Sequence, residues 1–155
     1  MHSRIFQVSL DPIDKDDYIE ESNYWDHWFT SELADYVNGD CDRKDDIEWL
    51  KHFYSTNGIE FGADDNGEYF IVKNKCAYFA DKFETFTEII KRMNNYTLDG
   101  FVYGVSEMWS LNNTYEDKYG FYVDIDEELM TLDSFVRRCV TEEKYYIGGT
   151  LDYHW

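Results

Sequence analysis

The sequence predicts an α+β fold, a single domain over residues 1–155 with a mostly antiparallel sheet and about four helices. Apolar residues recur at helical spacing in some stretches and at period two in others, without the regular alternation that builds a parallel sheet. An Asn66–Gly67 step between two apolar runs is a hairpin signal. The 155 residues carry a net charge of −19, yet 43% are hydrophobic, including five Trp, 14 Tyr and 11 Phe. A disordered chain lacks that apolar surface, so this one is expected to fold.

Each element has a local cause. Ile5–Leu10 puts Phe6, Val8 and Leu10 on one face at period two, the pattern of a strand. Residues 11–21 (DPIDKDDYIEE) form an acidic connection around the one proline. Tyr24–Val37 shows helical spacing, with Trp25, Trp28, Phe29, Leu33, Tyr36 and Val37 on one stripe and Gly39 as its C-cap. Asp42 is placed to cap a second helix in which Ile47, Leu50, Phe53 and Tyr54 share a face, with Gly58 closing it. Ile59–Phe61 and Glu68–Val72 then flank Ala63–Gly67 as a hairpin, with Lys75–Ala80 as a third strand after Asn74. Asp81 and Glu84 read as a capping box for a helix to about Asn94, along which Phe83, Phe86, Ile90 and Met93 align. Gly100–Gly104 fits either a helix or a strand. Glu107–Leu111 and Gly120–Ile125 are predicted strands joined by the polar loop NNTYEDK. Thr131 or Asp133 starts a short helix through Val140, and Tyr145–Ile147 closes the sheet.

Composition removes several functions. The longest apolar runs, Tyr69–Val72 and Cys76–Ala80, fall far short of the ~20 residues that span a bilayer. Met1–Leu10 has no basic region leading into a long apolar stretch, so no secretory signal is expected. Cys41, Cys76 and Cys139 cannot all pair within one chain and share no CxxC spacing, which points to a reduced, cytoplasmic protein. The acidic excess argues against direct binding to nucleic acid or to anionic membrane, both of which are held through Lys and Arg.

No motif assigns a reaction. Asp11, Asp14, Asp16, Asp17 and Glu20 offer oxygen ligands at short spacing, but a calcium loop needs a turn glycine at its sixth position, and no Gly precedes residue 39. The run Asp124-Ile125-Asp126-Glu127-Glu128 lacks that glycine too. The four His show neither HxH nor HExxH spacing, and His27 reads as a packed or surface helix residue. Gly148–Gly149 is too short for a phosphate loop and reads as a strand end or bulge. No catalytic residue, metal or cofactor is therefore expected.

The charge is concentrated. Residues 11–48 hold 14 acidic side chains against Lys15, Arg43 and Lys44, a net of −11 in 38 residues. Duplex DNA carries one charge per ~1.7 Å of axis, so this matches roughly 19 Å of duplex if the carboxylates share a face. A dispersed acidic surface merely keeps a protein soluble, whereas concentrating it adds self-repulsion that some function must offset. Asp14, Asp16, Asp17, Glu20 and Glu21 form one candidate partner-binding cluster, and Asp40, Asp42, Asp45 and Asp46 a second at a helix start. Most aromatics read as core. Thirty are more than one core is expected to enclose, so an aromatic surface suits an interface or a homodimer, and Tyr153-His154-Trp155 fits either role.

In size, acidity and aromatic content the chain resembles the small anti-CRISPR and antirestriction proteins of phages and mobile elements, some of which inhibit nucleases by DNA mimicry. That resemblance implies an inhibitor of a CRISPR effector or restriction enzyme, with no catalysis. It carries no residue across. The expected partner is a basic nucleic-acid-binding protein. The alternatives are an immunity protein that neutralises a basic toxin, and an enzyme of unrecognised type.

Overall fold

The strand at the centre of the sheet is the last in the chain. The computed structural model describes residues 1–155 apart from Thr56, Asn57 and Gly104. In order the elements are β1 (His2–Ser9), α1 (Trp28–Glu32), β2 (Tyr36–Asn38), α2 (Arg43–Tyr54), β3 (Ile59–Asp64), β4 (Gly67–Val72), α3 (Lys75–Met93), α4 (Leu98–Tyr103), α5 (Ser106–Tyr115), β5 (Tyr122–Ile125), β6 (Glu128–Thr131), α6 (Leu132–Arg138) and β7 (Lys144–His154). Single 3-10 turns at Lys15–Asp17 and Glu21–Tyr24 lie between β1 and α1. The seven strands form one sheet in the order β3-β4-β7-β1-β5-β6, with β2 also on β7. β1 and β5 run parallel and every other pair is antiparallel. The fold is α+β, with six α-helices among the described residues where about four were expected.

Both faces of the sheet are covered. On one, Phe6, Val8, Phe70, Val123, Tyr145 and Ile147 meet Ile47 and Leu50 of α2, Tyr78 of α3, and Leu132, Phe135 and Val136 of α6. On the other, Ile5, Tyr122, Leu151 and Tyr153 meet Tyr24, Phe29 and Ala34 of the acidic amino-terminal segment. Two-sided burial removes the alternation that marks a half-exposed strand. This explains why β7 was expected to end at Ile147 and instead continues for seven more residues.

Capping sets the helix starts. Asp42 accepts from the amides of Lys44 and Asp45 at 2.9 and 3.3 Å and Thr131 from that of Ser134 at 3.1 Å, as their positions predict. Asn74 accepts from the Ala77 amide at 3.1 Å, so α3 begins at Lys75 and the strand expected over Lys75–Ala80 is its first turns. The capping box at Asp81 and Glu84 does not form, because Asp81 lies inside α3. Glu107–Leu111, expected as a strand, belongs to α5. The Gly100–Gly104 stretch is helical through Tyr103, and Gly104 lies outside the described residues.

The long helix expected over Tyr24–Val37 is broken. The amides of Leu33 and Ala34 both donate to the Phe29 carbonyl, ending α1, and the Asp35 amide turns to the His154 carbonyl at 2.7 Å. Tyr36, Val37 and Asn38 then pair with His154, Tyr153 and Asp152. Ladder pairing with a distant strand outweighs the local helical period. No helix of the described residues is long and apolar enough to cross a membrane.

Candidate functional site

Gln7 is the foundation of the site. Opposite it, β7 inserts Gly148 and Gly149 between Ile147, which pairs with Val8, and Thr150, which pairs with Phe6. Two residues thus face one, a β-bulge. A Cβ on Gly148 would lie 2.4 Å from Gln7 Oε1, and one on Gly149 3.0 Å from the Tyr18 Cβ. Glycine at both positions lets the acidic segment lie against the sheet. Gln7 Oε1 accepts from the amides of Ile19 (3.1 Å) and Gly149 (2.9 Å), and its Nε2 donates to the Asp17 carbonyl at 2.9 Å. Buried Tyr24 and Phe29 pin the far end of the segment.

The loop so held faces the β5–β6 turn. A cleft of about 720 Å³ lies between them, lined by Asp16, Asp17 and Glu20 on one side and Asp124, Asp126 and Glu127 on the other. No described Lys or Arg lines it. The Tyr24 hydroxyl donates to Asp124 Oδ2, and burial first, then that carboxylate's charge, pushes the tyrosine pKa far up. Asp126 and Glu127 form a two-residue turn with φ of 52° and 64°. Such left-handed turns prefer Asn-Gly, and a non-glycine side chain there costs roughly 1–2 kcal/mol.

Glu21 opens onto a second cleft of about 360 Å³, shared with Gly39, Cys41 and Arg43. Arg43 donates to the carbonyls of Gly148 (2.6 Å) and Ile147 (2.7 Å), and Cys41 Sγ to that of Thr150 at 3.2 Å. These side chains fill the stretch of β7 edge left between β4 and β2. The Gly39 amide donates to Glu21 at 3.3 Å across this cleft, but of the second acidic cluster neither Asp40 nor Asp42 lines it, so the structure does not bring the two clusters together there.

Asp14, Asp16, Asp17, Glu20, Glu21, Asp40, Asp42 and Asp45 are all exposed, and none forms an ion pair among the described residues. Asp14, Asp40, Asp42 and Asp45 lie outside the lining of both clefts. Asp46 does not belong with them. It is only 3% exposed, accepts from the Arg4 guanidinium and takes the Thr150 hydroxyl at 2.7 Å, so it is a structural anion beneath α2.

The chain matches no family model, no curated protein and no solved structure. Chemistry at the clefts therefore rests on their own groups. Among the described residues no three His, Cys, Asp or Glu side chains are grouped to hold a metal ion. Burial pushes the Cys41 and Cys139 thiols up, away from the lowered pKa of an activated nucleophile. His27 Nδ1 accepts from the Phe29 amide at 3.2 Å and caps α1. Trp25 and Trp28, expected in the core, are 72 and 44% exposed beside the cleft residues Tyr24 and His27.

Sequence reasoning missed Asp124, Asp126 and Glu127. Their signal in the sequence is the Asp124–Glu128 run, which reads there only as a calcium loop without its turn glycine. The arrangement is an anionic groove with a tethered wall, a strained acidic turn and two exposed tryptophans at its margin.

Proposed function

We propose that this protein is a non-catalytic inhibitor whose acidic face occupies the Lys/Arg track of a basic nucleic-acid-binding protein. One observation carries the proposal: carboxylates from two segments distant in the chain line one cleft with no described cation among them. Unpaired carboxylates steer a basic surface by long-range attraction and then exclude its nucleic acid. Strain at Asp126 and Glu127 supports the same site, because left-handed non-glycine residues persist where function requires them. Trp25 and Trp28 supply the aromatic anchors that concentrate binding energy. Given the resemblance in size and charge, the partner class proposed is a host-defence nuclease, a CRISPR effector or a restriction enzyme.

The test is competition. Purified protein is added to a restriction endonuclease, to a CRISPR effector and to a basic toxin nuclease, and retention of labelled duplex is followed with increasing salt. Expected is displacement of DNA by the protein, with affinity falling as salt rises. Tight binding that leaves DNA in place would overturn mimicry and leave an ordinary interface. Displacement confined to a basic toxin nuclease would assign the immunity role instead.

Catalysis on a cationic substrate has one observation in its favour: about 720 Å³ is the size of a small-molecule cleft, and Asp124 is held within it by the Tyr24 hydroxyl. Binding of small polyamines in that cleft, lost in Asp124→Asn, would support it.

A further inference from the structure

We infer that the arm formed by α3, α4 and α5 is where a second copy of this chain docks, across a two-fold axis, through the outer face of α4 and the start of α5. Leu98, Phe101 and Val102 are 77, 68 and 68% exposed. Their spacing of three and four residues places them on one helix face, so α4 turns an apolar stripe to solvent. Met108 and Trp109, in the first turn of α5, are 57 and 68% exposed. The arm is nevertheless anchored. Asp133 at the start of α6 accepts from the Tyr78 hydroxyl (2.8 Å) and the Lys82 ammonium (2.5 Å) of α3, and the Tyr96 hydroxyl donates to Glu107 of α5. The stripe is left over once the arm is attached.

The area suits a dimer. At ~200 Å² per large side chain, these five offer on the order of 700 Å². Phe83 and Tyr115, 66 and 56% exposed, line an apolar cleft of about 240 Å³ farther along the arm and extend the surface. A standard interface takes about 800 Å² from each partner, while the largest apolar patch of a typical monomer is about 300–600 Å².

Charge selects the occupant. Residues 75–115 carry four basic and five acidic side chains, which leaves −18 of the −19 on the other 114 residues. The arm as a whole, at −1, therefore repels a second copy less than the rest of the chain does, the bases of α3 offsetting Asp99 and Glu107 of the docking stretch. A basic partner is drawn to the acidic clefts and gains little at the arm. Exposed Asp81, Glu84 and Glu88 precede exposed Lys91 and Arg92 along α3, so antiparallel apposition of two arms sets opposite charges against each other. An isologous contact of this kind closes at two copies.

Sedimentation of the full chain tests the inference, read at about 0.05 M and about 0.5 M salt, because screening weakens the repulsion between bodies while the apolar contact persists. Expected is a dimer whose dissociation constant falls at the higher salt and rises at least tenfold in Phe101→Ser/Trp109→Ser. Hydrogen exchange on the unaltered chain supplies a readout that does not depend on the variant folding: amides of 98–109 should gain protection as protein concentration rises. A monomer at ~100 μM in both salts would overturn the inference, as would a dimer indifferent to the double substitution or protection gained elsewhere. A chain that stays monomeric and gains protection over 98–109 only when a different protein is added would assign the arm to that protein.

Discussion

Arg4 of β1 donates to Asp46 of α2 beneath the helix start where sequence placed an acidic face. The same guanidinium reaches Asp152 of β7 and stacks 5.1 Å from the Trp49 ring centroid. Removing Asp46 leaves a largely buried cation with one of its two carboxylate partners. Asp46→Ala is expected to cost about 3 kcal/mol, or roughly 6–12 °C in Tm for a chain of this size. Asp45→Ala, one residue earlier and exposed, should shift Tm by less than about 2 °C. Thermal melts of the two variants check this, and similar losses would remove the Arg4 pair from the account of stability.

Gln7 is expected to control the acidic wall. Its three hydrogen bonds to the 17–19 stretch and to Gly149 are worth about 1 kcal/mol each. Gln7→Ala should therefore raise the open population of residues 11–21 about tenfold or more. Limited trypsin cleavage after Lys15 measures it: cleavage should accelerate while the far-ultraviolet spectrum stays unchanged. Unaltered cleavage would mean the wall is held by Tyr24 and Phe29 alone.

The α+β class was legible from the mixed periods, and the cap at Asp42 from neighbours a few residues away. Thr131 was read only as an alternative to Asp133, and Gly148–Gly149 only as a strand end or a bulge, because the bulge is settled by β1 some 140 residues away. Lys75–Ala80 was not legible, since its five-residue apolar run Cys76–Ala80 fits both periods and only the Asn74 side chain on the Ala77 amide decides. Tyr36–Asn38 was misassigned because its pairing partner lies more than 110 residues onward. The acids of 11–21 could be read as a cluster. Their meeting with Asp124–Glu127 depends on β1 pairing with β5, and the loss of Asp46 depends on Arg4, so neither could be read locally.

Buried tyrosines set an alkaline limit. Burial is the largest cause that raises the pKa of Tyr24, Tyr78, Tyr122 and Tyr153, and it pushes Tyr54 up to about 12. A raised folded-state value means that the unfolded chain loses these protons first, near pH 10. Their stabilisation is thus complete below about pH 10 and lost above it, by up to about 1.4 kcal/mol per pH unit for each tyrosine. Absorbance at tyrosinate wavelengths and circular dichroism should change together in one steep transition above pH 10. Tyrosinate appearing gradually near pH 10 with the fold intact would show these hydroxyls open to water.

The β5–β6 turn is where stability and function should separate. Asp126 and Glu127 both hold positive φ in a two-residue turn, the conformation that Asn-Gly adopts without strain. Asp126→Asn/Glu127→Gly should therefore stabilise the fold by about 1 kcal/mol, or roughly 2–4 °C in Tm. The same change removes two of the six carboxylates lining the larger cleft. Association with a basic partner should then slow several-fold at low salt and respond less to added salt, because a rim charge acts mainly on the association rate. Single Glu127→Gly separates the two effects, since most of the strain relief and half of the charge loss reside there. A Tm that does not rise would show the turn to be relaxed, and an unchanged association rate would move the binding face away from this cleft.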